Sequence, residues 1–188
     1  MVLGKIVALA SQKFEELRWN NVYEGYRRKY EVAKTFRFNG PGICLIGDNR
    51  IRLGENSYIG SYSTIQSDAK GCEVVVGRDC VLSHYIMMYT KSHSANPELR
   101  RKGVPDCESI RIGNDCWIGV RVFIRQGVTI GDRVVVGANS VVTRDVPDGC
   151  VVAGCPAEIK KGFSVQIPEI GLTTRNFSRK INFSIDEV

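Results

Sequence analysis

No wholly apolar run in this chain exceeds a few residues, so no transmembrane helix of about 20 residues can be drawn. The stretch from Ile6 to Ala10 is too short for a secretory core segment, which reads as an unprocessed, cytoplasmic chain. Cysteine occurs seven times, an odd number at irregular spacing, and never as C-x-x-C. That argues against a disulfide framework and for reduced thiols acting as small hydrophobes. Histidine occurs only twice, at 84 and 93, and no His/Cys spacing suggests zinc, so no metal is expected. The basic residues carry no nucleic-acid-reading motif, so no nucleic-acid partner is expected either.

What is present can build a core. The chain has 188 residues, 43% apolar and 24% charged, and a domain of this size buries roughly 70% of its unfolded surface without staples. The formal charge of +6 suits an acidic partner, and an anionic membrane face or a phosphate-bearing cofactor both satisfy it. Glycine is the residue in surplus: nineteen of 188, about 10% against a usual ~7%.

The glycines have an address. They follow an aliphatic residue at Ile46, Leu53, Ile59, Val76, Ile112, Ile118, Ile130 and Val136. Aliphatic residues recur every six positions at 112, 118, 124, 130, 136 and 142, and the same step links Leu53, Ile59 and Ile65, then Val76, Leu82 and Met88. The fifth place of each unit is small or β-branched: Cys116, Val122, Val128, Val134, Ser140. A period of six is neither helical nor that of a sandwich, whose turns recur every ~8–12 residues. It predicts an all-β solenoid of short strands, each turning one aliphatic inward. Asn49, Asn56, Asn114, Asp115 and Asp132 fall where the turns need a tolerant backbone.

The register survives one interruption. Met88 to Ile112 spans one unit of six plus about 18 residues, so a loop at about 91–109 is extruded from the repeat. A smaller irregularity falls at Asp68 to Glu73. Residues 1–38 form a distinct segment, read as one or two helices over 3–36 that cap the solenoid, with a membrane-surface helix as the other reading. The solenoid domain is placed at 39–162 and a C-terminal extension at 163–188.

At Ile112-Gly-Asn-Asp-Cys-Trp-Ile-Gly-Val120, Gly127 to Asp132, Val136 to Pro147 and Val152 to Ala157 the chain resembles the hexapeptide-repeat acyltransferases. It is most similar to the maltose and galactoside O-acetyltransferases and to the sugar O-acetyltransferases of surface-polysaccharide pathways. The resemblance implies a left-handed parallel β-helix, against the usual right-handed rule for crossovers. It also implies a homotrimer with acetyl-CoA bound between subunits, and a sugar-type acceptor.

The same resemblance assigns roles. His93, in Thr90-Lys-Ser-His-Ser-Ala-Asn-Pro-Glu-Leu-Arg100, stands at the family's catalytic histidine. An imidazole can take the proton of a sugar hydroxyl, a poor nucleophile, as it attacks the thioester. Trp117, Val120, Ala138, Thr143, Arg144 and Lys161 match the family's CoA contacts: Trp117 as an apolar wall, Val120 near the oxyanion donor, and the last three for amide and phosphate recognition. Tyr58 and Asp68 fall at substrate contacts. His84 is read as structural or substrate-side, and Glu98 as a lesser candidate to orient His93. Gly60 replaces an asparagine of the maltose-type enzymes, which sets the acceptor apart from free maltose or galactoside.

The expected reaction is direct acetyl transfer from acetyl-CoA to a hydroxyl of a sugar or polysaccharide precursor. N-acetylation of an amino sugar or nucleotide-linked amino sugar is the alternative on the same fold. A nucleophilic Cys107 or Cys116 lacks a thiolate-activating neighbour in sequence. The expected setting is the cytoplasm, with the inner membrane face as a further option for the basic N-terminal segment.

Overall fold

The computed structural model describes residues 2–67, 71–166 and 182–185, with side chains described for 4–67 and 71–160. The chain opens with one helix, α1 (Val2–Lys29), whose last turn carries Arg27, Arg28 and Lys29 against the negative end of its dipole. Arg27 also donates to the carbonyls of Ala33 and Phe36, which fixes the exit of the helix into the solenoid.

Five coils of three strands follow. The first holds β1 (Glu31–Val32), β2 (Arg37–Asn39) and β3 (Cys44–Ile46), and the second β4 (Ile51–Leu53), β5 (Tyr58–Gly60) and β6 (Thr64–Gln66). The third holds β7 (Val74–Val76), β8 (Val81–Leu82) and β9 (Met87–Tyr89). An excursion then carries β10 (Lys91–His93), the short helix α2 (Pro97–Arg101) and β11 (Pro105–Cys107). The fourth coil is β12 (Ile110–Ile112), β13 (Trp117–Ile118) and β14 (Phe123–Ile124), and the fifth is β15 (Thr129–Ile130), β16 (Val135–Val136) and β17 (Val141–Val142). β18 (Cys150–Gly154), β19 (Ala157–Gln166) and β20 (Asn182–Ile185) close the end. The solenoid therefore begins at Glu31, inside the segment read as helical, rather than at 39.

Strands stack in parallel into three faces, and the solenoid is left-handed. The first face is β1-β4-β7-β12-β15 and the third is β3-β6-β9-β14-β17. The second runs β2-β5-β8-β13-β16-β18 in parallel and then continues antiparallel through β19 and β20. That reversal ends the parallel ladder with the chain's own C-terminal extension.

The six-residue period is the core. Ile112, Ile118, Ile124, Ile130, Val136 and Val142 are all at most 2% exposed, and so are Cys116, Val122, Val128, Val134 and Ser140. Each coil lays its aliphatics on those of the next, as in Leu45–Ile65–Met88–Ile124–Val142 along the third face. At the first corner Asn56, Asp79, Asp115 and Arg133 take positive φ; at the second Tyr62, Tyr85, Arg121 and Asn139 do so. Asn56 and Asp115 were expected turn residues. Asn114 and Asp132 act through their side chains: Asn114 Oδ1 accepts from Arg78 N–H, and Asp132 Oδ1 from Asn114 N–H. At the first corner Gly77 must be glycine, because a Cβ there would lie 2.4 Å from the carbonyl oxygen of Gly113.

The open end of the first coil is covered by the C-terminal half of α1. Tyr23 and Tyr30 are buried, with Trp19, Val22 and Tyr26 packed beside them. Tyr23 stacks on Phe38 at 4.6 Å and donates its hydroxyl to the Gly40 carbonyl. This is the expected helical cap.

Candidate active site

The second face supplies a groove. Outward-facing residues of neighbouring strands form a column, Arg37–Tyr58–Val81–Trp117–Val135–Val151. At the adjoining second corner His84, Val120 and Ala138 follow one another in successive coils: Arg121 N–H donates to His84 O, and Asn139 N–H to Val120 O. Trp117, Val120, Ala138 and His84 line a groove of about 450 Å³ together with Val135 and Val151. The close spacing of its floor depends on Gly119, where a Cβ would lie 2.7 Å from Ala138 N.

Two polar features stand in this apolar groove. Among the described residues the Val120 N–H, like that of Ala138, is not taken up by the coil ladder, in which Gly119 N–H donates to Val136 O and Arg121 N–H to His84 O. The Nδ1 atom of His84 accepts the Ser61 N–H at 2.9 Å. The neutral ring therefore carries its proton on Nε2 and presents a donor.

Tyr58 stands two rungs from Trp117 in the same column, about 10 Å along the stack, and lies outside the groove lining. Burial raises its phenol pKa above the ordinary value, with the Arg37 guanidinium 5.3 Å from the ring working the other way. Asp68 lies outside the described residues, as does the Lys161 side chain, whose backbone sits in β19.

His93 sits elsewhere. The excursion leaves the third corner, between the third and first faces, as an antiparallel pair in which His93 faces Pro105 and Lys91 faces Cys107. Asn96 caps α2 by accepting the N–H groups of Glu98 and Leu99. Ser94 is buried, its carbonyl held by Arg100, and Gln126 of the solenoid donates to the Ser92 hydroxyl. The His93 ring is exposed, and among the described residues no hydrogen bond or ion pair engages it, from Glu98 or any other side chain. Thr143 and Arg144 follow β17 onto the same third corner. One chain thus gathers Trp117, Val120, Ala138 and His84 at one corner and His93, Thr143 and Arg144 at another, with the third face between them.

One expectation is corrected. Cys72 and Cys107 form a disulfide, with their Cα atoms 6.1 Å apart, so they are not reduced thiols and Cys107 is not a free nucleophile. The bond ties the excursion to the start of the third coil. Cys116 is buried and donates to the carbonyls of Asn114 and Gly131. Among the described residues, no three His, Cys, Asp or Glu side chains gather as a metal site.

Sequence reasoning missed a ladder beside the groove. Tyr62 stacks on Tyr85 at 5.4 Å, and the Arg121 guanidinium lies 5.8 Å from the Tyr85 ring. The signal was the positional step itself, since these residues sit six places after Asn56, Asp79 and Asp115.

Residues 109–144 match a family model described as the hexapeptide repeat of succinyl-transferase. The galactoside O-acetyltransferase of Escherichia coli is 37% identical over 119 residues, which cover 63% of this chain and 57% of that protein. The chain thus spans somewhat over half of that relative. A maltose O-acetyltransferase from Clostridium difficile superposes with a TM-score of 0.61 at 29% identity, over 72% of this chain and 71% of that one. A hexapeptide-repeat acetyltransferase from Vibrio cholerae, solved with acetyl coenzyme A, gives a TM-score of 0.60 at 32% identity over 73% of each chain. The period of six, the three-faced solenoid, the groove at its second corner and these likenesses have one conclusion: the chain belongs to the hexapeptide-repeat acetyltransferase family.

Proposed function

We propose that the protein is an acetyl-CoA-dependent O-acetyltransferase acting on a hydroxyl of a sugar or polysaccharide precursor, as a homotrimer with its sites between copies. The observation that carries this reading is the groove in which Trp117, Val120 and Ala138 converge and, among the described residues, the Val120 N–H, like those of Ala138 and His84, stays out of the ladder. A slender thioester arm fits such a groove: Trp117 offers a flat apolar wall, Val135 and Val151 an apolar floor, and Gly119 a close approach to the backbone.

The roles follow from the chemistry. His93 takes the proton of the acceptor hydroxyl as the oxygen attacks the acetyl carbonyl, and passes it to the departing thiolate. The Val120 N–H donates to the carbonyl oxygen as negative charge develops there, a preorganised donor in a water-poor groove. Thr143, Arg144 and Lys161 meet the amide and phosphate portions of CoA. Tyr58 and the Nε2–H of His84 stand on the acceptor side.

The separation of the two halves on one chain supports the trimer. His93 at the third corner of one copy reaches the second-corner groove of the next when third faces meet neighbours. That face is suited to contact, with Ile46 and Met87 exposed and Tyr89 stacked on Phe123 at 6.3 Å. Thiol release from acetyl-CoA, measured against a panel of sugars, amino sugars and nucleotide sugars, tests the reaction. Release with a hydroxyl acceptor supports it, and release with none rejects it. Light scattering tests the assembly, where a trimer mass is expected and a monomer mass rejects shared sites.

A further inference from the structure

The two halves of α1 present opposite faces. Trp19, Val22, Tyr23 and Tyr26 pack onto the solenoid. In the N-terminal half, Ile6, Val7, Phe14 and Leu17 are each more than half exposed and stand with Ala10 in one stripe, since 100° per residue places all five within about 100° of arc. That stripe points roughly away from the packed face. Gln12, Glu15 and Glu16 instead face back towards Gly40 and Pro41, where they line a cavity with Trp19.

Charge is arranged around the stripe. Lys13 borders it on one side and Arg18 on the other, while Glu15 and Glu16 lie on the opposite face, each in an exposed ion pair with one of them. Basic residues bordering an apolar stripe, with acids behind, suit a helix lying in a lipid headgroup layer, where lysine and arginine reach out to phosphates. The helix is not long and apolar enough to cross a bilayer.

A second copy fits the stripe poorly. Parallel helices related by a rotation axis bring the Lys13 border of one against the Arg18 border of the next, a like-charge contact. The apolar register also stops after Leu17, because Asn21, Glu24 and Arg28 continue the same line.

The geometry points to the N-terminal half of α1 as an anchor for an anionic bilayer surface, holding the solenoid against lipid. The test is co-sedimentation of the full chain with vesicles of phosphatidylcholine containing about 30 mol% phosphatidylglycerol. Binding to these vesicles is expected to exceed binding to pure phosphatidylcholine about tenfold and to weaken with added salt. Phe14→Ser with Leu17→Ser, and separately Lys13→Glu with Arg18→Glu, should each cut binding about tenfold. Phe14 and Leu17 are not among the helix residues packed on the solenoid, so helicity and melting of the Phe14→Ser with Leu17→Ser variant should match the parent. Equal affinity for neutral and anionic vesicles, or none for either, overturns the proposal. So does a drop in assembly mass on Phe14→Ser with Leu17→Ser, which assigns the stripe to a second copy.

Discussion

The Nδ1 atom of His84 holds the backbone N–H of Ser61 at 2.9 Å, which ties the second coil to the third at the mouth of the groove. Removing the ring leaves a turn N–H to water. His84→Ala should cost about 1 kcal/mol in urea unfolding. It should also lower turnover far less than loss of His93. An equal loss of turnover from the two variants would place His84 in the chemistry.

The oxyanion role proposed for Val120 has a clean test, because the first coil already shows the substitution. Pro41 occupies the equivalent corner place there, and its carbonyl accepts the Tyr62 N–H just as Val120 O accepts that of Asn139. Proline also suits the place before a positive-φ residue such as Arg121. Val120→Pro deletes one N–H and should lower kcat by about 10²–10³ with the fold intact. Unchanged kcat in a folded variant removes this donor from the account.

At the first corner burial raises the pKa of Asp115, and Asp79 in the coil below adds to it. The folded state therefore binds the proton more tightly than the unfolded state. Stability from this group falls as pH rises from the usual carboxylate range through the raised value, and stays lost at neutral pH. Asp115→Asn, which also tolerates the positive φ, should raise stability at neutral pH. The gain should vanish below about pH 4. A variant less stable at neutral pH contradicts this.

The disulfide between Cys72 and Cys107 anchors the excursion that carries His93. Opening a loop of sequence separation 35 is worth about 4 kcal/mol. Cys107→Ser should lose roughly that stability and several-fold in kcat, and a dithiol reductant should slow the parent but not the variant. A parent indifferent to reductant shows that the excursion is held by its other contacts.

The solenoid was legible because its driving force is periodic: six aliphatics six residues apart can be buried together in only one way, and they are. Legibility ended where pairing is non-local. Lys91-Ser92-His93 and Pro105-Asp106-Cys107 carry no strand alternation, and only their pairing makes them a ladder. Cys72 and Cys107 meet across the third coil and its excursion for the same reason. Tyr62, Tyr85 and Arg121 carry no turn signature, and the stacked coil imposes their positive φ. The division of the site was readable in principle, since Thr143 lies one coil and one corner beyond Trp117. Matching motifs without counting corners hid it.

The proposed base for acetyl transfer to a hydroxyl is His93. Its ring is exposed and, among the described residues, free of hydrogen bonds, so His93→Ala should leave the melting temperature unchanged. The decisive measurement is steady-state thiol release from acetyl-CoA by this variant with the best acceptor in the panel. A kcat lower by about 10²–10⁴ at unaltered stability is expected. Turnover close to that of the parent would contradict it.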